Sequence, residues 1–160
     1  MGNVCNTDKN IITVPFANLK YKILEKHNEY REKHNSPKLK INEDLCSMAQ
    51  AHAEDLVNNK NIDKTSNYKG EILGQNIYLS GIKQKQPENV IKDWYDEKKN
   101  YDYNYNYYQK NASHFTQMVW KKTKEIGIGS VDKDKFCLVI FYYPSGNILK
   151  KFSENVKKPN

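Results

Sequence analysis

No apolar run in this chain approaches the roughly 18–20 residues that a helix needs to span a bilayer. The opening stretch, MGNVCNTDKN, has no apolar signal-peptide core. The expectation is a soluble, polar chain with no visible secretion route. Cysteine is scarce: Cys5, Cys46 and Cys137 are the only three. An odd, sparse set argues against a disulfide framework and favours a reducing compartment. Arginine is almost missing, since Arg31 stands alone among 26 basic residues. Specific nucleic-acid readers depend on bidentate arginine forks, and no reader motif is present. No specific nucleic-acid partner is therefore expected. Internal repeats and a second domain are also absent.

What the chain does have is lysine and aromatic residues. Its 160 residues carry a formal net charge of +7, and 12% are aromatic. The length suits one domain around one core. Lysine without arginine gives a diffuse positive field. Either it is a solvated surface, or it draws the chain to anionic membrane lipids.

Apolar spacing outlines the elements. Leu19, Ile23, His27, Tyr30 and His34 recur every three or four residues, which predicts a helix over 16–34 ended by Pro37. Asn42 can cap a second helix, with Glu43 and Asp44 in its first turn and Leu45, Met48 or Ala49, His52 and Leu56 on its stripe. EILGQNIYLS reads as extended. Pro87 opens a third helix with Val90, Ile91, Trp94 and Tyr95 inward. The run YDYNYNYYQK at 101–110 reads as a strand or as a biased loop. Asn111 or Ser113 can cap a fourth helix. IGIGSV and FCLVIFYY, joined by DKDK, predict a hairpin, and ILKKF a last strand. Helices before strands give an α+β fold with an antiparallel sheet.

At the start of the chain, Gly2 follows Met1, as N-myristoylation requires, but Asn6 departs from the usual Ser/Thr. Cys5 offers a thiol for palmitoylation. Two such signals anchor stably where one binds only marginally. The alternative is an unmodified tail. The expected organisation is a flexible segment 1–15, one domain over 16–156, and a frayed basic tail 157–160.

Three segments carry a resemblance: HNEYREKHNSPKL at 27–39, SHFTQMVWKKTKEIGIG at 113–129 and FYYPSGNI at 141–148. Together they resemble the CAP superfamily (cysteine-rich secretory proteins, antigen five, pathogenesis-related proteins). The few cysteines and the Met-Gly start look most like its intracellular branch, the Golgi-associated plant pathogenesis-related proteins. Ser113 stands where a glycine is usual, and the cysteine often found in the YPSGN block is absent.

The resemblance implies a three-layer α–β–α sandwich. It also implies a groove that in many members is lined by two histidines and two glutamates able to hold a divalent metal. Glu97 and His114 match one half of that tetrad. Lys64 and Gln75 stand where the other histidine and glutamate are expected. Tight zinc sites need three or four good ligands, and an ammonium and a neutral amide are poor ones. No cofactor is therefore expected beyond weak zinc or another divalent cation, and Lys64 could instead pair with Glu97.

His114 remains open as a hydrogen-bonding groove residue, a weak ligand or a catalytic base with Glu97. Tyr101, Tyr103, Tyr105, Tyr107 and Tyr108 lie where the family joins two helices beside the groove. They could meet lipid or sterol, or simply pack. The leading expectation is a non-enzymatic, membrane-associated protein on the cytoplasmic face of a Golgi or plasma-type membrane, with homodimers suggested by the family. The alternatives are a hydrolase using Glu97 and His114, or an extracellular effector acting on partner proteins.

Overall fold

A computed structural model describes residues 7–60, 65–81 and 85–160, with side chains from residue 18 onward. Gly2, Cys5 and Lys64 lie outside the described residues. Helix α1 spans Thr7–Lys33. It therefore begins before residue 16, through Ile11, Ile12 and Pro15, where no helical stripe marks it. Asn35, in left-handed backbone at φ 57°, ends that turn ahead of Pro37.

Strand β1 (Lys40–Ile41) leads into α2 (Glu43–Val57). Asn42 caps α2 as expected, its side chain accepting from Leu45 N at 3.1 Å. A small hairpin, β2 (Asn67–Tyr68) and β3 (Glu71–Ile72), precedes β4 (Gly74–Ser80). Next come α3 (Pro87–Asp96), α4 (Ser113–Val119), β5 (Glu125–Asp132), β6 (Phe136–Tyr143) and α5 (Phe152–Asn155).

The main sheet runs β1-β5-β6-β4. The expected hairpin is β5–β6, antiparallel from Glu125↔Tyr143 to Asp132↔Phe136. The sheet is mixed rather than antiparallel, because β1 pairs parallel to β5. Two paired residues joined to their partner through most of the domain leave no local sequence signal. The expected last strand is also corrected. ILKKF turns through Lys150 at φ 63° and enters α5, which buries Phe152.

Strand β6 explains the layering. It is apolar along its length because both faces are covered. Cys137, Val139 and Phe141 face α2, while Phe136, Leu138, Ile140 and Tyr142 belong to the cluster with α1, α3 and α4. Each fully buried large apolar side chain contributes about 1.5–3 kcal/mol. Glycines let α2 lie directly on β5: a Cβ on Gly129 would come within 2.3 Å of Gln50 N. The result is the α–β–α sandwich.

The C-terminal segment is not frayed. Val156 is buried, His34 Nδ1 donates to Lys157 O at 2.6 Å, and Asn160 N donates to Lys33 O at 2.9 Å.

Candidate functional site

The site starts at the end of α3. Trp94 and Glu97, three residues apart, project on one side of the helix. After Glu97 the chain tightens into a 3-10 turn, Glu97–Asn100, and the tyrosine loop carries it back to α4. Neither Asn111 nor Ser113 caps α4. Ala112 precedes the helix and offers no capping side chain. Glu97 does the capping from the neighbouring helix: Oε1 accepts from His114 N at 3.0 Å and Phe115 N at 3.3 Å. Its other oxygen, Oε2, accepts from His114 Nδ1 at 2.7 Å. A carboxylate at a helix start also meets the positive end of the helix dipole. The Trp94 ring stacks on the imidazole at 5.1 Å and 9°. His114 is thus clamped between an indole face and a carboxylate, with Nδ1 as donor and Nε2 left as its other nitrogen.

Behind His114 runs a buried polar chain. Asn76 Nδ2 donates to His114 O at 3.1 Å and to Tyr142 Oη at 3.2 Å. Tyr142 Oη lies 2.7 Å from His27 Nε2, and His27 Nδ1 lies 2.8 Å from Ile23 O. The carbonyl can only accept, so Nδ1 donates and Nε2 accepts a hydrogen bond from the Tyr142 hydroxyl. Burial, with nearby Arg31, holds His27 down at about 4. Burial likewise pushes the Tyr142 hydroxyl well above its ordinary value. Both groups stay neutral and join four elements.

Gln75 is exposed and sits on the opposite pleat of β4 from Asn76, on the face it shares with its cross-strand partner Phe141. Among the described residues it makes no hydrogen bond to Glu97 or His114. Both Glu97 oxygens and one His114 nitrogen are already engaged. Among the described residues no group of three or more His, Cys, Asp or Glu side chains could hold a metal ion. These donors do not fit the three- or four-ligand set of a tight zinc site.

The HFTQMVW and YPSGN blocks meet each other. Thr116 Oγ1 donates to Asn147 Oδ1 at 2.6 Å, Asn147 Nδ2 to Ser113 O at 2.9 Å, and Gly146 N to Gln117 Oε1 at 2.9 Å. A Cβ on Gly146 would come within 2.7 Å of Gln117 Nε2. Beneath them lies Arg31, fully buried. It donates to the carbonyls of Pro37, Met118, Trp120 and Thr123 at 2.8–3.0 Å. Burial lowers its pKa to about 10, so it remains a cation at neutral pH. The only signal of this role in the sequence is that one arginine stands among so many lysines.

The tyrosine run is a loop, not a strand. Tyr101 is buried against Phe115, and Tyr103 packs edge-on to Tyr101 at 4.7 Å. Tyr105, Tyr107 and Tyr108 are exposed. The side-chain amide of Gln109 closes the loop on the backbone of Asp102 with two 2.9 Å hydrogen bonds. Among the described residues no helix is long and apolar enough to cross a membrane.

This architecture has relatives. The profile of CAP, the cysteine-rich secretory protein family, matches residues 24–143. Golgi-associated plant pathogenesis-related protein 1 of Homo sapiens is 35% identical over 141 residues, spanning 86% of this chain and 91% of that protein. Venom allergen 5.01 of Dolichovespula maculata is 32% identical over 157 residues, spanning 80% and 68%. Among solved structures, Schistosoma mansoni venom allergen-like protein 4 superposes with a TM-score of 0.63 at 26% identity, covering 78% of this chain and 86% of that one. NaASP2 with Zn2+ gives 0.66 at 21%, covering 89% and 86%, a likeness of fold. The chain belongs to the CAP, or cysteine-rich secretory protein, family.

Proposed function

We propose that this CAP domain is a non-enzymatic, membrane-associated protein that binds lipid or a small ligand beside Glu97 and His114. The observation that carries the non-enzymatic half is the use of the Glu97 carboxylate. A carboxylate that itself serves as general acid or base must present an oxygen to substrate. Here both Glu97 oxygens hold α4 and the imidazole in place. Metal affinity is weak or absent in this reading, with zinc or another divalent cation bound loosely if at all. The membrane half is supported by the lysine-borne charge of +7 and by exposed Tyr105, Tyr107 and Tyr108.

A relative named as Golgi-associated supports a place at such a membrane, and this reading puts the chain on its cytoplasmic face. Acylation of Gly2 and Cys5 would tether it there. The venom allergen relatives support the extracellular alternative, an effector acting on partner proteins. Family analogy suggests homodimers.

The test is flotation of unlipidated protein with anionic, neutral and sterol-containing vesicles at low and physiological salt. Salt-sensitive binding to anionic vesicles is expected, since exposed charge is screened. Salt-resistant binding that needs sterol would assign the interaction to the groove and tyrosine loop. Binding to none of them would overturn the lipid half, and a zinc titration of sub-micromolar affinity would overturn the metal-free half. The hydrolase reading rests on His114 Nε2, the nitrogen that Glu97 does not take. It requires an activity that His114→Ala removes while the domain stays folded.

A further inference from the structure

Five of the eight exposed large apolar side chains among the described residues lie in two loops at one end of the sheet. Three are Tyr105, Tyr107 and Tyr108; the others are Ile148 and Leu149, the latter 64% exposed. Asn106 fastens the loops together, its Nδ2 donating to Lys150 O at 3.1 Å and its Oδ1 accepting from Ser153 N at 2.9 Å. Asn147 at φ 57° and Lys150 at φ 63° bracket Ile148–Leu149 with left-handed turns, which present the pair to solvent.

The surroundings are basic. Lys110, Lys150 and Lys151 flank the two loops and are exposed. Lys122, Lys124 and Lys151 line a hollow of about 470 Å3 that has Ile148 in its wall. Opposing carboxylates are few. Glu154 reaches Lys151 at 3.4 Å and Lys122 at 3.8 Å, and Asp102 Oδ1 is turned to Asn104 N.

We infer that this end of the molecule, Tyr105–Tyr108 with Ile148–Leu149, is the face that docks on an anionic bilayer. Ile148 and Leu149 enter the interfacial layer, the tyrosines lie at headgroup level, and Lys122, Lys124 and Lys151 receive lipid phosphates. Tyrosine rings suit such a boundary, and each lysine near an anionic surface adds attraction. The inference rests on the membrane reading above and assigns it a surface.

The experiment floats unlipidated full-length protein with phosphatidylcholine vesicles, with and without phosphatidylserine. It compares wild type with Ile148→Asp/Leu149→Asp and with Lys122→Gln/Lys151→Gln. The control is Lys133→Gln/Lys135→Gln, in the β5–β6 turn at the opposite end of β6, roughly 25 Å away at strand rise. The altered side chains are exposed except Lys135, which is half-buried and donates to Asn59 Oδ1 at 3.1 Å, and circular dichroism checks the fold. The aspartate pair should lower partitioning about tenfold or more. The Lys122/Lys151 pair should weaken binding and its salt dependence more than the control. If wild type binds anionic vesicles and all three variants bind alike, the surface is wrong and the membrane reading stands. If wild type binds no anionic vesicle, the membrane reading itself falls.

Discussion

Replacing Glu97 separates a cap from a vestigial ligand. In Glu97→Ala, the N–H groups of His114 and Phe115 lose their acceptor, and the imidazole loses its 2.7 Å anchor. Losing a helix cap costs about 0.5–2 kcal/mol. A hydrogen bond to a charged group contributes about 1.5–3 kcal/mol, but part-exposed His114 recovers some of it from water. Phe115 is fully buried, so its N–H has less recourse. The expected loss is about 2–4 kcal/mol in urea denaturation, or roughly 5–15 °C in Tm for a domain of this size. Glu97→Gln keeps a capping oxygen, and its amide can donate to a re-tautomerised ring, so it should cost about 1 kcal/mol. A carboxylate held only as a metal ligand behaves oppositely, because removing it from an empty site relieves repulsion. Glu97→Ala within about 0.5 kcal/mol of wild type, the range of ordinary surface changes, would refute the capping argument.

Other expectations follow from buried groups. Arg31→Lys replaces a planar fork that serves four carbonyls with a single ammonium. It should cost about 3 kcal/mol or more, read as a fall in the urea midpoint. His27 has a folded pKa of about 4 against an ordinary 6.5. Between those values the unfolded chain binds more protons. Stability present above pH 6.5 is therefore lost as pH falls toward 4, by about 3 kcal/mol from this group. Burial lowers His34 as well, with the same sign. Denaturation midpoints from pH 7 to 4 should show this slope, and His27→Phe should flatten it. The buried thiols of Cys46 and Cys137 are raised by burial, Cys137 to about 11. Iodoacetamide at pH 8 should modify neither until the domain unfolds; labelling in the native state would contradict their burial.

The legible parts of the fold were those whose cause is local. Val90, Ile91, Trp94 and Tyr95 at helical spacing, the Asn42 cap, and two apolar runs around a polar turn each appear in the structure as read. What was not legible depends on partners distant in the chain. The parallel pairing of β1 joins residues 40–41 to 125–126. α4 is capped by Glu97 in place of the Asn111 or Ser113 that local chemistry nominates. Alternation in the tyrosine run reads equally as a strand or a loop, whereas Tyr101 faces the core and Tyr105, Tyr107 and Tyr108 face solvent. Local pattern cannot divide them, because the division is set by Phe115 on one side and Asn106 on the other.

The candidate site divides along the same line. The residues that carry the family resemblance largely hold one another: Thr116 takes Asn147, Gln117 takes Gly146, Thr123 takes Pro144, and Arg31 gathers the carbonyls around them. Glu97 and His114 belong to this set, since their contacts fix the start of α4 against α3. Removing any of these damages the scaffold before it reports on function. Gln75 is different: it is exposed, on the other pleat, and outside the network. Its replacement of an expected carboxylate therefore leaves the scaffold's hydrogen bonds unchanged. A fold held by its signature residues can keep its shape while its ligand chemistry changes. What distinguishes this chain must then be sought on surfaces the scaffold leaves free, chiefly its lysines and the paired loops around Asn106.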